Sequence, residues 1–282
     1  MAAFIARQER FAVVGSTNDV VRGWLAEGTP EVGVAVADEQ TDGRGRDGRR
    51  WLAPRGAALL VSLGFRPTWL APERVWRLAA TASLAMAEAA EDVAGLPDGA
   101  IRLKWPNDLV IDASGPSASG MPVRPGAIGI RKVAGVLGET DGLGTADPRA
   151  VIGLGINGDW AAADFPSDLT PSMTSLREAS DNRPMDHAAL LAAFLGRLEV
   201  RTAALRVGRF DVAAWSGRQV TTGRVVDLVA PDGGVVTIQA VGVDPASGAL
   251  LLADADHPGL ERAVMVGEIR HVRLAPIVAA GV

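Results

Sequence analysis

The sequence predicts an α+β protein: a mixed β-sheet with packed helices over residues 1–215, then a small all-β barrel over residues 216–282. Three observations carry this. Short β-branched runs alternate with segments of helical period in the first part of the chain. Two of the helical segments are long and apolar on one side, as helices covering a sheet must be. After Trp215 the helical period stops, and short alternating strands follow one another across turn signals.

In chain order, residues 11–14 read as a short strand. Ser16 or Thr17 can cap a helix over 18–26, which Gly28 can stop. Residues 32–37 form a β-branched strand, Asp38 to Pro54 a polar loop with three Gly and four Arg, and residues 57–65 a second buried strand. Residues 72–93 form a long Ala-rich helix with Val75, Leu78, Ala79, Ala82 and Met86 at helical spacing. Short strands at 101–103 and 109–111 flank Lys104-Trp105-Pro106-Asn107-Asp108. The stretch from Asp112 to Gly129 is a Ser-, Pro- and Gly-rich loop. Strands follow at 133–139 and 151–156. Asp186 can cap a helix over 187–207, with Leu190, Leu191, Phe194, Leu195, Leu198 and Leu205 as its inner stripe. Strands at 220–229, 235–243, 249–253, 261–265 and 269–274 complete the chain, the first three divided by Asp232-Gly233-Gly234 and by Asp244 to Gly248.

Composition narrows the chemistry. The 282 residues are 48% hydrophobic and 22% charged, enough for a sizeable core. There is no Cys and only three His, so disulfides, thiolate metal sites and thiol nucleophiles are excluded and a His-rich zinc site is hard to assemble. A net charge of −5 disfavours broad affinity for nucleic acid or membrane surfaces. The first eleven residues mix Arg7, Glu9 and Arg10 with apolar residues, unlike a signal peptide, and a cytoplasmic protein is expected.

Five segments could carry chemistry. In Gly43-Arg44-Gly45-Arg46-Asp47-Gly48-Arg49-Arg50-Trp51 the glycines allow close backbone approach to a ligand, and four Arg face two Asp, Asp42 and Asp47. Arginine forks suit phosphate and carboxylate oxygens, and Trp51 offers a flat face to a ring. By itself the run is equally a solvated basic turn, and it matches neither standard phosphate loop. Lys104-Trp105-Pro106-Asn107-Asp108 holds a Lys, an Asn and an Asp at a corner stiffened by Pro106, or is simply a strand-end turn. Lys132 opens an apolar strand in which Gly135 leaves room for a ligand. Gly153-Leu154-Gly155-Ile156-Asn157 puts bare backbone on one strand face. Gly15-Ser16-Thr17-Asn18 is a helix cap whose hydroxyls could instead serve a small polar ring.

Together and in this order, these segments resemble the bacterial biotin–protein ligases. The matching motifs are Gly-Ser-Thr-Asn, Gln40 ahead of Gly-Arg-Gly-Arg-x-Gly-Arg-x-Trp, Lys-Trp-Pro-Asn-Asp, Lys-x-Ala-Gly-x-Leu-x-Glu and Gly-x-Gly-Ile-Asn. The resemblance covers nearly the whole chain and implies a class II synthetase-like catalytic domain with an SH3-like C-terminal barrel. It also implies a two-step reaction. Biotin and ATP with Mg2+ give biotinyl-5′-AMP, and a lysine on the biotin carrier domain of acetyl-CoA or another acyl-CoA carboxylase then takes the biotin.

The same resemblance implies roles for residues. Ser16, Thr17, Asn18, Gln40, Gly43, Arg44, Gly45, Arg46, Lys132, Gly135, Leu137 and Gly155 would form the biotin pocket. Arg46, Arg49, Trp51, Lys104, Asn107, Lys132 and Asn157 would bind ATP or the adenylate. Lys132, Arg46 and Asp108 would carry the catalysis, Asp108 orienting either the acceptor lysine or a metal ion. Some members of the family also carry an N-terminal DNA-binding helix-turn-helix. Only fifteen residues precede Ser16, so the monofunctional type and no operator binding are expected. The segment from Ala113 to Gly129 is longer than the family's usual turn. Monomer and homodimer both remain open. Two other readings use the same residues: a lipoate or octanoate ligase or transferase of the same fold, and a non-catalytic regulator that binds biotin or nucleic acid. Gln40 with Ser16 and Thr17 favours biotin, and the full set of charged residues favours an enzyme.

Overall fold

A computed structural model describes residues 3–112, 129–254, 259–266 and 271–274. The expected loop from Ala113 to Gly129 thus lies, but for Gly129, outside the described residues, as do the first two residues of the expected last strand. The chain divides into two compact units, Met1–Arg102 with Asn107–Phe210, and Leu103–Pro106 with Asp211–Val282.

The first unit is built on a mixed sheet. The strands of that sheet are β1 (Arg7–Phe11), β2 (Gly33–Ala37), β3 (Ala58–Phe65), β4 (Ile101–Lys104), β5 (Asp108–Asp112), β6 (Ile130–Asp141) and β7 (Arg149–Asn157), in the order β1-β2-β3-β7-β6-β5-β4, and of β4 only Ile101 and Arg102 fall in the first unit. β1 pairs with β2 in parallel, and the pairs from β2 through β5 are antiparallel. The first strand lies earlier than its apolar residues indicate. Arg7 and Glu9 alternate along an edge strand, while Val14 makes only an isolated bridge to Gln40.

Register decides what each face carries. Leu60, Gly155 and Gly135 are paired across three strands, and so are Ser62, Gly153 and Leu137, so all six point to one face. The helix α1 (Thr17–Ala26) covers the β3 end of that face, where a Cβ on Gly64 would lie 2.6 Å from Val21. Gly28 ends α1 in a left-handed conformation, φ 93°. The opposite face carries Gly138 and Ile152, beside Ala79 of the helix α2 (Trp76–Ala94). α2 is buried almost all round, between β6 and β7 on one side and α4 (His187–Arg206) on the other. Its alanines permit that close packing. Asp186 caps α4 as expected, accepting from Ala188 N and Ala189 N at 2.8 and 3.0 Å. A short helix that the sequence did not announce, α3 (Leu176–Ala179), is held to β6 by the buried ion pair Arg131–Glu178 at 2.5 Å.

The second unit is a five-stranded antiparallel sheet. Its strands are β8 (Val225–Val229), β9 (Val235–Val243), β10 (Leu250–Ala253), β11 (Glu261–Val264) and β12 (His271–Leu274), in the order β11-β10-β9-β8-β12. The short helix α5 (Val212–Gly217) precedes it, capped by Asp211. Trp105 is a core residue of this unit. Its indole Nε1 donates to Gly248 O at 3.0 Å, and its backbone N donates to Thr221 Oγ1 at 3.0 Å.

Candidate active site

The candidate site is the sheet face that carries Gly135 and Gly155. The strands present almost no side chain there, and the indole of Trp51 lies directly on the bare backbone. A Cβ on Gly155 would stand 2.5 Å from Trp51 Cε2, and one on Gly135 would stand 3.1 Å from Trp51 Cζ3. Trp51 Nε1 is buried and has no hydrogen-bond partner.

A bulge brings Lys132 to the same face. Leu109 pairs with Ala134 but Val110 pairs with Lys132, so β6 has one residue more than β5 at this point. The extra residue reverses the alternation, and the strand that should turn Lys132 away turns it toward Asp108 and Gly135. Lys132 Nζ is 2.6 Å from Asp108 Oδ1 and 5.6 Å from the centre of the Trp51 ring. Arg46 shares the field of Asp108. Burial pushes its guanidinium pKa down, against the pull of Asp47 and Asp108. Lys132, Asp108 and Trp51 thus come together, with the half-buried Arg46 in the electrostatic reach of Asp108.

Polar groups line the neighbouring wall. Backbone bonds zip residues 14–15 to residues 39–42, with Thr41 N donating to Val14 O at 3.0 Å and Asp42 N to Gly15 O at 2.8 Å. Gln40 Oε1 accepts from both Thr17 N (2.7 Å) and Thr17 Oγ1 (2.9 Å). Ser62 Oγ lies 2.7 Å from Thr17 Oγ1 and 2.6 Å from Asn18 Oδ1. Asn18 Nδ2 donates to Glu139 Oε2 at 2.6 Å. Ser16 occupies the cap position of α1 but makes no capping bond. The hydroxyl of Thr17 faces the pocket network, not the helix end, so capping does not account for this segment. Leu137 is half-buried beside Gly135, on the same face.

The arginine-rich loop is a small closed hairpin. Gly45 N donates to Arg49 O (2.7 Å), Arg49 N to Arg46 O (3.2 Å) and Trp51 N to Gly43 O (2.8 Å). Only glycine fits at position 43, where a Cβ would lie 2.8 Å from Trp51 O. Mutual repulsion of four arginines would hold such a loop open, but two of them are paired outside it. Arg44 makes a two-pronged bond to Asp19 at 2.6 and 2.8 Å, and Arg50 Nη2 donates to Thr41 O at 3.0 Å. That fork holds the Asp19 carboxyl below its usual pKa.

Other expected residues stand differently. Arg49 is exposed on the hairpin. Asn107 bridges strands, its Nδ2 donating to Val136 O at 2.9 Å while Val136 N donates to Asn107 O at 2.9 Å. Asn157 is fully buried, with Nδ2 bonded to Thr174 O at 2.9 Å and Oδ1 unpartnered. Lys104 is half-buried at the end of β4 and belongs to the second unit. Sequence reasoning missed Ser62, Glu139, Asp19 and Arg22. Ser62 had one signal, a lone hydroxyl in an apolar strand. Glu139 closed a quoted motif without a role. The described residues contain no group of three or more His, Asp or Glu side chains able to hold a metal, and no helix long and apolar enough to cross a membrane.

Known proteins resemble this chain over most of its length. Residues 10–157 match the model of the biotin/lipoate A/B protein ligase family. The biotin--[acetyl-CoA-carboxylase] ligase of Mycobacterium tuberculosis is 31% identical over 93% of this chain and 88% of its own. The bifunctional ligase/repressor BirA of Escherichia coli is 29% identical over 91% of this chain and 71% of its own. Among solved structures, the biotin protein ligase of Aquifex aeolicus in complex with biotin and ATP superposes with TM-score 0.73 at 24% identity, covering 95% of this chain and 99% of that one.

Proposed function

This chain belongs to the biotin/lipoate A/B protein ligase family, and we propose that it is an ATP-dependent biotin–protein ligase that makes biotinyl-5′-AMP and passes the biotin to a lysine of a carboxylase carrier domain. The observation that carries the proposal is the meeting of Lys132, Asp108 and Trp51 at the bare backbone of Gly135 and Gly155, with Arg46 in the field of Asp108.

The first step joins two anions. The biotin carboxylate attacks the α-phosphorus of ATP and pyrophosphate leaves with the electron pair of the broken P–O bond. Their repulsion is the barrier that the protein has to lower, and fixed cations do this where charge develops. Lys132 and Arg46 supply them. Asp108 holds the Lys132 ammonium in place, and Trp51 stacks on the adenylate. Arg49 reaches the phosphates, and Asn107 and Asn157 frame the adenine. Mg2+ bound with ATP would screen the charge of the triphosphate, and Asp108 is the carboxylate beside Lys132 that could help hold it. In the second step the uncharged ε-amine of the acceptor attacks the carbonyl carbon of the anhydride and AMP leaves. Asp108 accepts the amine's proton as the amide forms.

The wall supports biotin over lipoate. Ser16, Thr17, Asn18, Gln40 and Ser62 make a polar wall whose groups can also bond a ureido ring, whereas a dithiolane offers them no partner. Arg44 and the backbone at Gly43 and Gly45 close over the acid's tail, with Leu137 against it. A direct test offers the purified protein ATP, a carrier domain and either acid. Transfer of biotin, with little or no transfer of lipoate, is expected. Transfer of lipoate alone, or of neither acid, would overturn the proposal.

A further inference from the structure

Four side chains form a charged ring beside the pocket, and the reaction as proposed uses only one of them. Arg44 grips Asp19 with both Nη atoms at 2.6 and 2.8 Å. Arg22 lies between Asp19, at 2.8 Å, and Glu139, at 2.7 Å. Arg44 Nη2 is 3.9 Å from Glu139 Oε1. The other oxygen of Glu139 accepts from Asn18, and Asn18 leads through Ser62 to Thr17 and Gln40. Glu139 therefore touches both the wall of the pocket and the anchor of the arginine-rich hairpin. It reaches this place because Gly135, Leu137 and Glu139 alternate onto one face of β6. Asn18 can lie here because position 153 is glycine: a Cβ there would stand 2.2 Å from its Oδ1.

We propose that Glu139 is a positioning residue that couples the two parts of the site: one carboxylate oxygen sets the Asn18–Ser62–Thr17–Gln40 wall, and the other helps hold Arg44, and with it the hairpin, in the closed position. The inference deepens the biotin-ligase reading and rests on it for its kinetic part alone. The two oxygens can be separated. Glu139→Gln keeps an acceptor for Asn18 Nδ2 but presents no charge to Arg22 and Arg44. Glu139→Ala removes both.

The test has two arms. Trypsin nicking within residues 44–50 of the free protein needs no substrate and reads the hairpin. Glu139→Ala and Glu139→Gln should both raise its rate, by about threefold or more, because the charge is gone in each. The KM for biotin in adenylate formation reads the wall. Glu139→Ala should raise it about tenfold, the scale of one lost hydrogen bond to a charged group, and Glu139→Gln by less than a third of that. A purely structural role would lower the melting temperature of both variants without separating the two readouts. Equal rises in KM for the two variants, or nicking at the wild-type rate in both, would overturn the coupling. A wild-type protein that forms no biotinyl adenylate would remove the biotin reading and leave the nicking arm to decide whether Glu139 holds the hairpin.

Discussion

The wall and the hairpin lie on the same sheet face, Asn18 against Gly153 and Trp51 against Gly155, but are held by opposite means. Asn18, Ser62 and Thr17 are buried and share short hydrogen bonds whose polar groups would be costly to leave unpaired. The hairpin is exposed and held by the Arg44–Asp19 ion pair, whose members are 31% and 47% exposed, and by three backbone bonds. Ion pairs at that exposure contribute at most about 1 kcal/mol. The difference teaches a division of labour: the wall is set before any ligand arrives, and the hairpin can open to admit one and close behind it.

The largest expected effect lies where the two parts meet the chemistry. Lys132→Ala and Arg46→Ala should each slow adenylate formation by about 10²–10³-fold, the usual loss when one stabilising partner of a developing charge is removed. Circular dichroism should still report a folded protein. Adenylate formation at the wild-type rate in both variants would take the chemistry away from this face.

Two glycines sharpen the comparison next. A methyl group at position 153 meets Asn18 Oδ1 at 2.2 Å, and one at position 155 meets the Trp51 ring at 2.5 Å. Asn18 is clasped on both sides and cannot yield, whereas Trp51 rides on the hairpin. Gly153→Ala should therefore cost about 1–3 kcal/mol in denaturant unfolding, the usual penalty of overpacking, and Gly155→Ala less than about 1 kcal/mol. Equal penalties would mean that the hairpin is as rigid as the wall.

Asp19→Asn should change global stability by less than about 1 kcal/mol yet raise trypsin nicking between Arg44 and Arg50. Salt should do the same to the wild type. Acid gives the same answer with its sign fixed. Arg44 holds the Asp19 carboxyl below its usual value, so the stabilisation is complete above about pH 4 and is lost as the pH falls further. Nicking rates that ignore salt and charge would show the ion pair to be idle.

The smallest effect belongs to neither part. His187 is pushed below its ordinary pKa of 6.5, first by burial. The unfolded chain then binds the proton before the folded one does, so stability declines as the pH drops below 6.5. Thermal melts from neutral to about pH 5 should register a shallower decline for His187→Asn.

What the sequence made legible follows from the range of the forces involved. The Asp186 cap and the strand β9 rest on local signals, a cap residue before an apolar stripe and an alternation between turns, and both stand where those signals put them. The bare face of β7 was legible in its alternating glycines. The bulge that turns Lys132 toward Asp108 was not, because nothing in residues 130–135 announces an extra residue; it emerges only from the pairing of β5 with β6. Trp105 reads as a neighbour of Pro106, yet it is fixed by Gly248, 143 residues away. Asp19 is a first-turn acid of α1, and its bond to Arg44 depends on where the hairpin comes to rest.

The most direct measurement is hydrogen–deuterium exchange of the whole chain without ligand, with biotin, and with biotin plus ATP. The Thr17 amide, bonded to Gln40 Oε1, should be protected from the start. The amides of Gly45, Arg49 and Trp51 should exchange fast in the free protein and slow in two steps, with biotin and then with ATP. Equal exchange of wall and hairpin without ligand, or a hairpin that neither ligand protects, would contradict a preformed wall closed by a detachable loop around biotin and its adenylate.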